Sequence, residues 1–161
     1  MPEDGKLSLE EWHKKMAIGL FNFTWSLLDK AKRTKEENDT VVHAAHASRY
    51  HWGELVKMGQ GTAANLGRGE WQISRVYSVL KRPEQARYHA QRYLDICREH
   101  GIGDWDIAFA YEALARAAAI SKDTSSRDKY LELAKKAAKQ IKEEENRKLL
   151  FSDLKTIPGY K

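Results

Sequence analysis

Apolar residues recur along this chain at helical steps, and polar or turn-forming residues break the pattern into seven segments. Ser8 followed by Glu11 has the form of a capping box, after which Trp12, Met16, Leu20, Phe23 and Leu27 predict the inner stripe of a first helix. The polar string Lys32–Thr40 ends it. A second helix is expected from about Asn38–Thr40 to Lys57, with Val41, Ala45, Ser48, Trp52 and Leu55 inward. Glycines 59, 61, 67 and 69 leave the start of the third helix between Thr62 and Gly69, and its stripe is Leu66, Ile73, Val76, Tyr77 and Leu80. Pro83 suits the first position of a fourth helix, where its missing N–H is harmless, and Ala86, Ala90, Tyr93 and Cys97 follow at helical steps. Gly101 and Gly103 close that helix, and Asp104 is the expected cap of a fifth carrying Ile107, Tyr111, Leu114 and Ala118. Thr124 or Ser125 caps a sixth with Tyr130, Ala134, Ala137 and Ile141 inward. A short seventh is expected around Asn146–Lys155, ended by Pro158-Gly159. No strand-like alternation of useful length occurs, so the chain is read as all-α.

Short connections between successive helices predict antiparallel hairpins, and an internal repeat supports that organisation. Placing Ile73-Ser74-Arg75 over Leu114-Ala115-Arg116 gives an offset of 41 residues, which also sets Tyr77 over Ala118 and the Pro83 region over Ser125. The segment Trp71–Leu94, through Ile73, Tyr77, Leu80, Ala86 and Leu94, resembles a tetratricopeptide-type (TPR-like) helical hairpin. Tyr111–Ala138 resembles it too, through Leu114, Ala115, Ala134 and Ala137. Three departures accompany the likeness. Ser74 holds the usual small-residue position, Lys81 replaces the inter-helix glycine, and the repeat exceeds 34 residues; the first hairpin matches less well. The stretches GEWQISRVYSVL and HGIGDWDIAFAYEALARA also resemble uncharacterised bacterial proteins, a likeness that brings no function. The resemblance implies a short TPR-like α-solenoid, residues 1–161 forming one domain, with the last helix capping its end.

Composition narrows the class. At 161 residues and 42% hydrophobic, the chain can bury a real core, which excludes a disordered tail. Its 1 cysteine excludes an internal disulfide framework. Net charge is +5, with basic and acidic residues interleaved rather than gathered, so no nucleic-acid surface is expected. The longest apolar run, Met16–Leu28, is interrupted by Asn22, Thr24 and Ser26 and falls short of the roughly 20 apolar residues a membrane span needs. The opening MPEDGKLSLEEW is polar and acidic, unlike a leader, so a cytoplasmic protein is expected.

Three candidate functions follow. Opposite the core stripe of the third helix lie Arg68, Trp71 and Arg75, and the repeat offset carries these positions to Phe109, Glu112 and Arg116 on the fifth. The TPR resemblance implies that first helices of successive hairpins line a groove. These six residues would then hold a protein or peptide segment, with arginines beside an indole suited to a carboxylate or acidic side chain. The second candidate is a metal-dependent enzyme built around His43 and His46, whose spacing of three is poorer than the four usual for two ligands of one ion. The third is a structural module dimerising through its first helix. No cofactor is implied, and Cys97 reads as a small core residue rather than a nucleophile.

Overall fold

The computed structural model describes residues 5–161; residues 1–4, which open the stretch read above as unlike a leader, lie outside them. The described residues form seven α-helices and no strand: α1 (Leu9–Leu28), α2 (Lys35–Lys57), α3 (Ala63–Val79), α4 (Pro83–Glu99), α5 (Asp104–Ile120), α6 (Thr124–Ala138) and α7 (Glu144–Lys155). Among these residues, no helix is long and apolar enough to cross a membrane.

Each helix packs against the next. The odd-numbered helices also touch one another in the order α1, α3, α5, α7, whereas α2, α4 and α6 do not meet as backbones. One row is therefore closed and the other gapped. Helices α3 and α5 begin 41 residues apart, as do α4 and α6, so the offset read from the residues is also the offset of the elements.

Helix ends explain that regularity. Four helices finish in the same motif, in which the residue after the C-cap takes a positive φ: Gly59 (74°), Lys81 (60°), Gly101 (62°) and Lys122 (63°). In α3, Lys81 N–H bonds Ser78 O and Arg82 N–H bonds Tyr77 O; in α5, Lys122 and Asp123 bond Ala119 and Ala118 in the same way. The missing inter-helix glycine therefore changes the residue and not the turn.

N-termini differ from expectation in three places. The N-cap of α2 is Thr34, in a full capping box with Glu37 and several residues before the expected start at Asn38–Thr40, so part of the polar string Lys32–Thr40 is helix. Asp104 is not the cap of α5; it is its first residue, at φ 53°, and its carboxylate accepts the N–H of Trp105. Asp123, rather than Thr124 or Ser125, caps α6 by accepting the N–H of Ser126. Ser8 and Glu11 form the expected box, and Pro83 stands at the start of α4.

The buried face of α1 is turned from the expected one: His13, Ala17, Thr24 and Leu27 are covered, while Trp12 and Phe23 are exposed. Small residues win because α1 lies close to its neighbours. Ser48 Oγ donates to Ala17 O at 2.7 Å, and Gln72 Nε2 donates to Phe21 O at 2.9 Å. One core cluster joins Leu27, Val41, Ala45, Ile73 and Val76 at the first three helices. A larger one joins α4 to α7, from Tyr93, Leu94 and Phe109 to Leu150, Leu154 and Ile157.

Candidate binding cleft

Helices α1, α3, α5 and α7 enclose a cleft of about 620 Å³ along their shared row. Trp25 comes from α1, Trp71 from α3, Trp105 and Phe109 from α5, and Leu149 from α7. The rings form a continuous chain. Trp25 and Trp71 lie 5.5 Å apart, Trp71 and Phe109 5.7 Å, and Phe109 and Trp105 6.1 Å, the last two pairs edge to face.

Beneath this wall lies a buried charge network. Glu112 has no exposed surface and collects four donors: the Trp71 indole N–H at 3.1 Å, Arg75 Nη2 at 3.1 Å, and Arg116 Nε at 2.8 Å and Nη2 at 2.6 Å. Arg75 also donates to Asp153 Oδ2 at 3.0 Å, and Arg116 reaches Asp153 O and Thr156 Oγ1, tying α7 to α3 and α5. Burial would push the Glu112 carboxyl upward, but the two guanidinium groups outweigh it and hold the acid below its ordinary range. Asp153 goes the other way: burial raises it, and Arg75 only partly offsets this. The network is two cations with two carboxylates.

A second pair stands at the other end. Arg68 donates twice to Asp106, each bond 3.1 Å, and its guanidinium lies 4.2 Å from the Trp105 ring centre. Asp106 also accepts from the Tyr93 hydroxyl, whose ionisation burial and the neighbouring Asp106 push well upward.

The six expected binding residues therefore divide. Arg68, Trp71, Arg75 and Phe109 line the cleft, whereas Glu112 and Arg116 sit under it and hold its floor. The expectation had not included Phe21, Trp25, Trp105, Leu149 or Asp153. Trp25 and Trp105 carried a signal, since five tryptophans exceed what this core uses; Leu149 and Asp153 carried none.

The histidines fall elsewhere. His43 is exposed, and His46 Nε2 lies 2.8 Å from the Tyr77 hydroxyl. The His46 ring is 5.4 Å from that of His89, whose Nδ1 donates to Glu70 Oε2 at 2.6 Å. Arg49 Nε donates to the other oxygen of Glu70 at 3.2 Å. Burial, then the charge of His89, lowers His46 from its ordinary value. Among the described residues, no three His, Cys, Asp or Glu side chains converge as a metal ion would require. Cys97 is buried, and burial pushes its thiol up to about 12, so a thiolate nucleophile has no support there.

Compared with models of protein families, with curated proteins and with solved structures, the chain matches none.

Proposed function

We propose that this chain is a tetratricopeptide-like binding module whose aromatic cleft receives an extended segment of a partner protein or peptide. The observation that carries this reading is the cleft itself: about 620 Å³, open, walled by three indoles and Phe109, with polar groups gathered at its floor. Ligand sites have that composition, apolar walls with a few fixed polar groups. The 41-residue repeat of α3–α4 in α5–α6 and the closed row of odd helices support the solenoid reading, with α7 as a further member of that row covering α5.

The anchor is an apolar or aromatic side chain seated among Trp25, Trp71 and Phe109. Arg75 and Arg116 are already paired internally, so they do not take a partner's carboxylate. Arg68 spends Nε and Nη2 on Asp106, but its side chain is 39% exposed and lines the cleft, so its remaining guanidinium nitrogen is the donor for an acidic group next to the anchor.

Peptides selected from a random displayed library against the full chain, and measured by calorimetry, test this. Leu149→Asp at the exposed rim and Arg68→Ala should each weaken a selected peptide about 10-fold, roughly 1.4 kcal/mol, with the fold retained. Failure to select any specific binder, or equal affinity in both variants, would overturn the reading.

A second reading rests on one side of α1, where Leu9, Trp12 and Phe23 are exposed at helical spacings of three and eleven. These would pair two copies through α1, and light scattering showing a monomer at working concentration removes it.

A further inference from the structure

The gapped row of helices holds two successive joints, one between α2 and α4 over α3, the other between α4 and α6 over α5. The first is filled. Tyr77 rises from α3 with its hydroxyl 2.8 Å from His46 Nε2, and its ring stacks on His89 at 5.8 Å and 16°. Helices α2 and α4 end 42 residues apart, each followed by a glycine of positive φ, so His46 corresponds to Tyr88. The 41-residue offset turns His89 into Tyr130 and Tyr77 into Ala118. The second joint thus keeps aromatic side walls and has lost the ring between them. An open groove of about 770 Å³ lies there, and Tyr88, Ala118 and Tyr130 line it.

We infer that this groove is a second binding site, taking the uncharged phenol side chain of a tyrosine carried by a partner polypeptide. The chain itself shows what fits between such walls, since the preceding joint places a tyrosine there. Tyr130 is braced from behind by stacking on Tyr111 at 6.5 Å and 22°, the pair that corresponds to His89 and Glu70. Tyr88 is exposed and free to close over a ring. The rim carries both signs, Glu84 and Asp123 against Arg87, which suits a neutral hydroxyl and not a dianion. The groove exceeds the space of one ring, leaving room for the backbone that carries it. This site is separate from the aromatic cleft and does not depend on what that cleft binds.

The test is a titration of the full chain with the tripeptide Ac-Ala-Tyr-Ala-NH2, followed by amide chemical shifts. Saturable shifts at Leu114, Ala118 and Tyr130 are expected, absent with Ac-Ala-Ala-Ala-NH2. Ala118→Tyr supplies the missing ring from within and should weaken binding at least 10-fold. Should that variant fail to fold, Tyr130→Ala is expected to produce the same loss. The inference is overturned by the absence of saturable shifts, by unchanged affinity in the folded variant, or by tighter binding of the phosphotyrosine tripeptide.

Discussion

Trp71 and Glu112 stand at equivalent places in successive hairpins, 41 residues apart, and the indole N–H of one donates to the carboxylate of the other at 3.1 Å. Arg75 and Arg116 are equivalent in the same way, and both donate to Glu112. One repeat thus supplies an anion where the other supplies an indole, and that anion pairs with both arginines while Asp153 supplies the second negative charge. Removing Glu112 leaves two buried guanidinium groups facing Asp153 alone. Glu112→Ala should lower unfolding stability by about 3–5 kcal/mol in urea titration. Replacing Arg75, Glu112, Arg116 and Asp153 together by Met, Leu, Met and Asn should recover most of that loss, because no charge of the network is then left unpaired. A loss below about 1 kcal/mol in the single variant would show that water reaches the network.

Lys81 and Lys122 hold left-handed conformations, φ 60° and 63°, at positions where α2 and α4 use glycine. An L-residue there costs about 1–2 kcal/mol, partly offset in a glycine variant by the greater freedom of its unfolded chain. Lys81→Gly and Lys122→Gly should each raise stability by about 0.5–1 kcal/mol and should add when combined, because the two turns share no hydrogen-bond partner. Thermal melts of the single and double variants check this, and a destabilised Lys122→Gly would contradict it.

Gly67 is within α3, where alanine is the better helix former by about 1 kcal/mol. A methyl group there would nevertheless meet the Tyr93 ring at 2.8 Å. That ring cannot swing away, because it is buried and its hydroxyl is held by Asp106. Overpacking of this kind costs about 1–3 kcal/mol, so Gly67→Ala is expected to lower the melting temperature despite its propensity. It should also disturb the Arg68–Asp106 pair, visible as a shift of the Trp105 indole resonance.

How far the residues foretold this arrangement depends on the range over which each signal acts. Caps and turns are local, so the helix count, Pro83 and the Ser8–Glu11 box were legible, and the offset between Ile73 and Leu114 predicted that of the helices. Thr34-x-x-Glu37 is an equally local signal, hidden within a polar string that reads as linker. The phase of α1 was not legible, because a helix at the end of the row is covered on few sides and buries Ala17 and Thr24 while leaving Trp12 outside. Spacing found Arg68, Trp71, Arg75 and Phe109, which share two neighbouring helices. It could not separate a residue that lines a surface from one beneath it, since Glu112 and Arg116 obey the same offset as Trp71 and Arg75. Asp153 lies 78 residues from Arg75, and no local periodicity links them.

The first hairpin carries the chain's sensitivity to acid. His13 on α1 and His51 on α2 meet through their Nδ1 atoms at 2.8 Å, so one nitrogen carries the hydrogen and the other accepts it. Protonating both rings abolishes that bond and sets two like charges together. Burial, and after it the charge of His13, holds His51 below the ordinary histidine value of 6.5, and His46 is lowered mainly by burial. In the pH range just below 6.5 the unfolded chain therefore binds more protons than the folded one. The stability these histidines contribute is present above pH 6.5 and is lost as pH falls below it. Glu70 and Glu112, both held below 4.5, surrender their contributions only at lower pH, and Asp153, raised by burial, acts in the opposite sense because its folded form takes up a proton before the unfolded one. Melting temperature followed by circular dichroism should be level from pH 8 to 7 and fall below 6.5, and His51→Gln should flatten part of that fall. A wild-type melting temperature unchanged between pH 7 and 5 would show that the pair accommodates a second proton without loss.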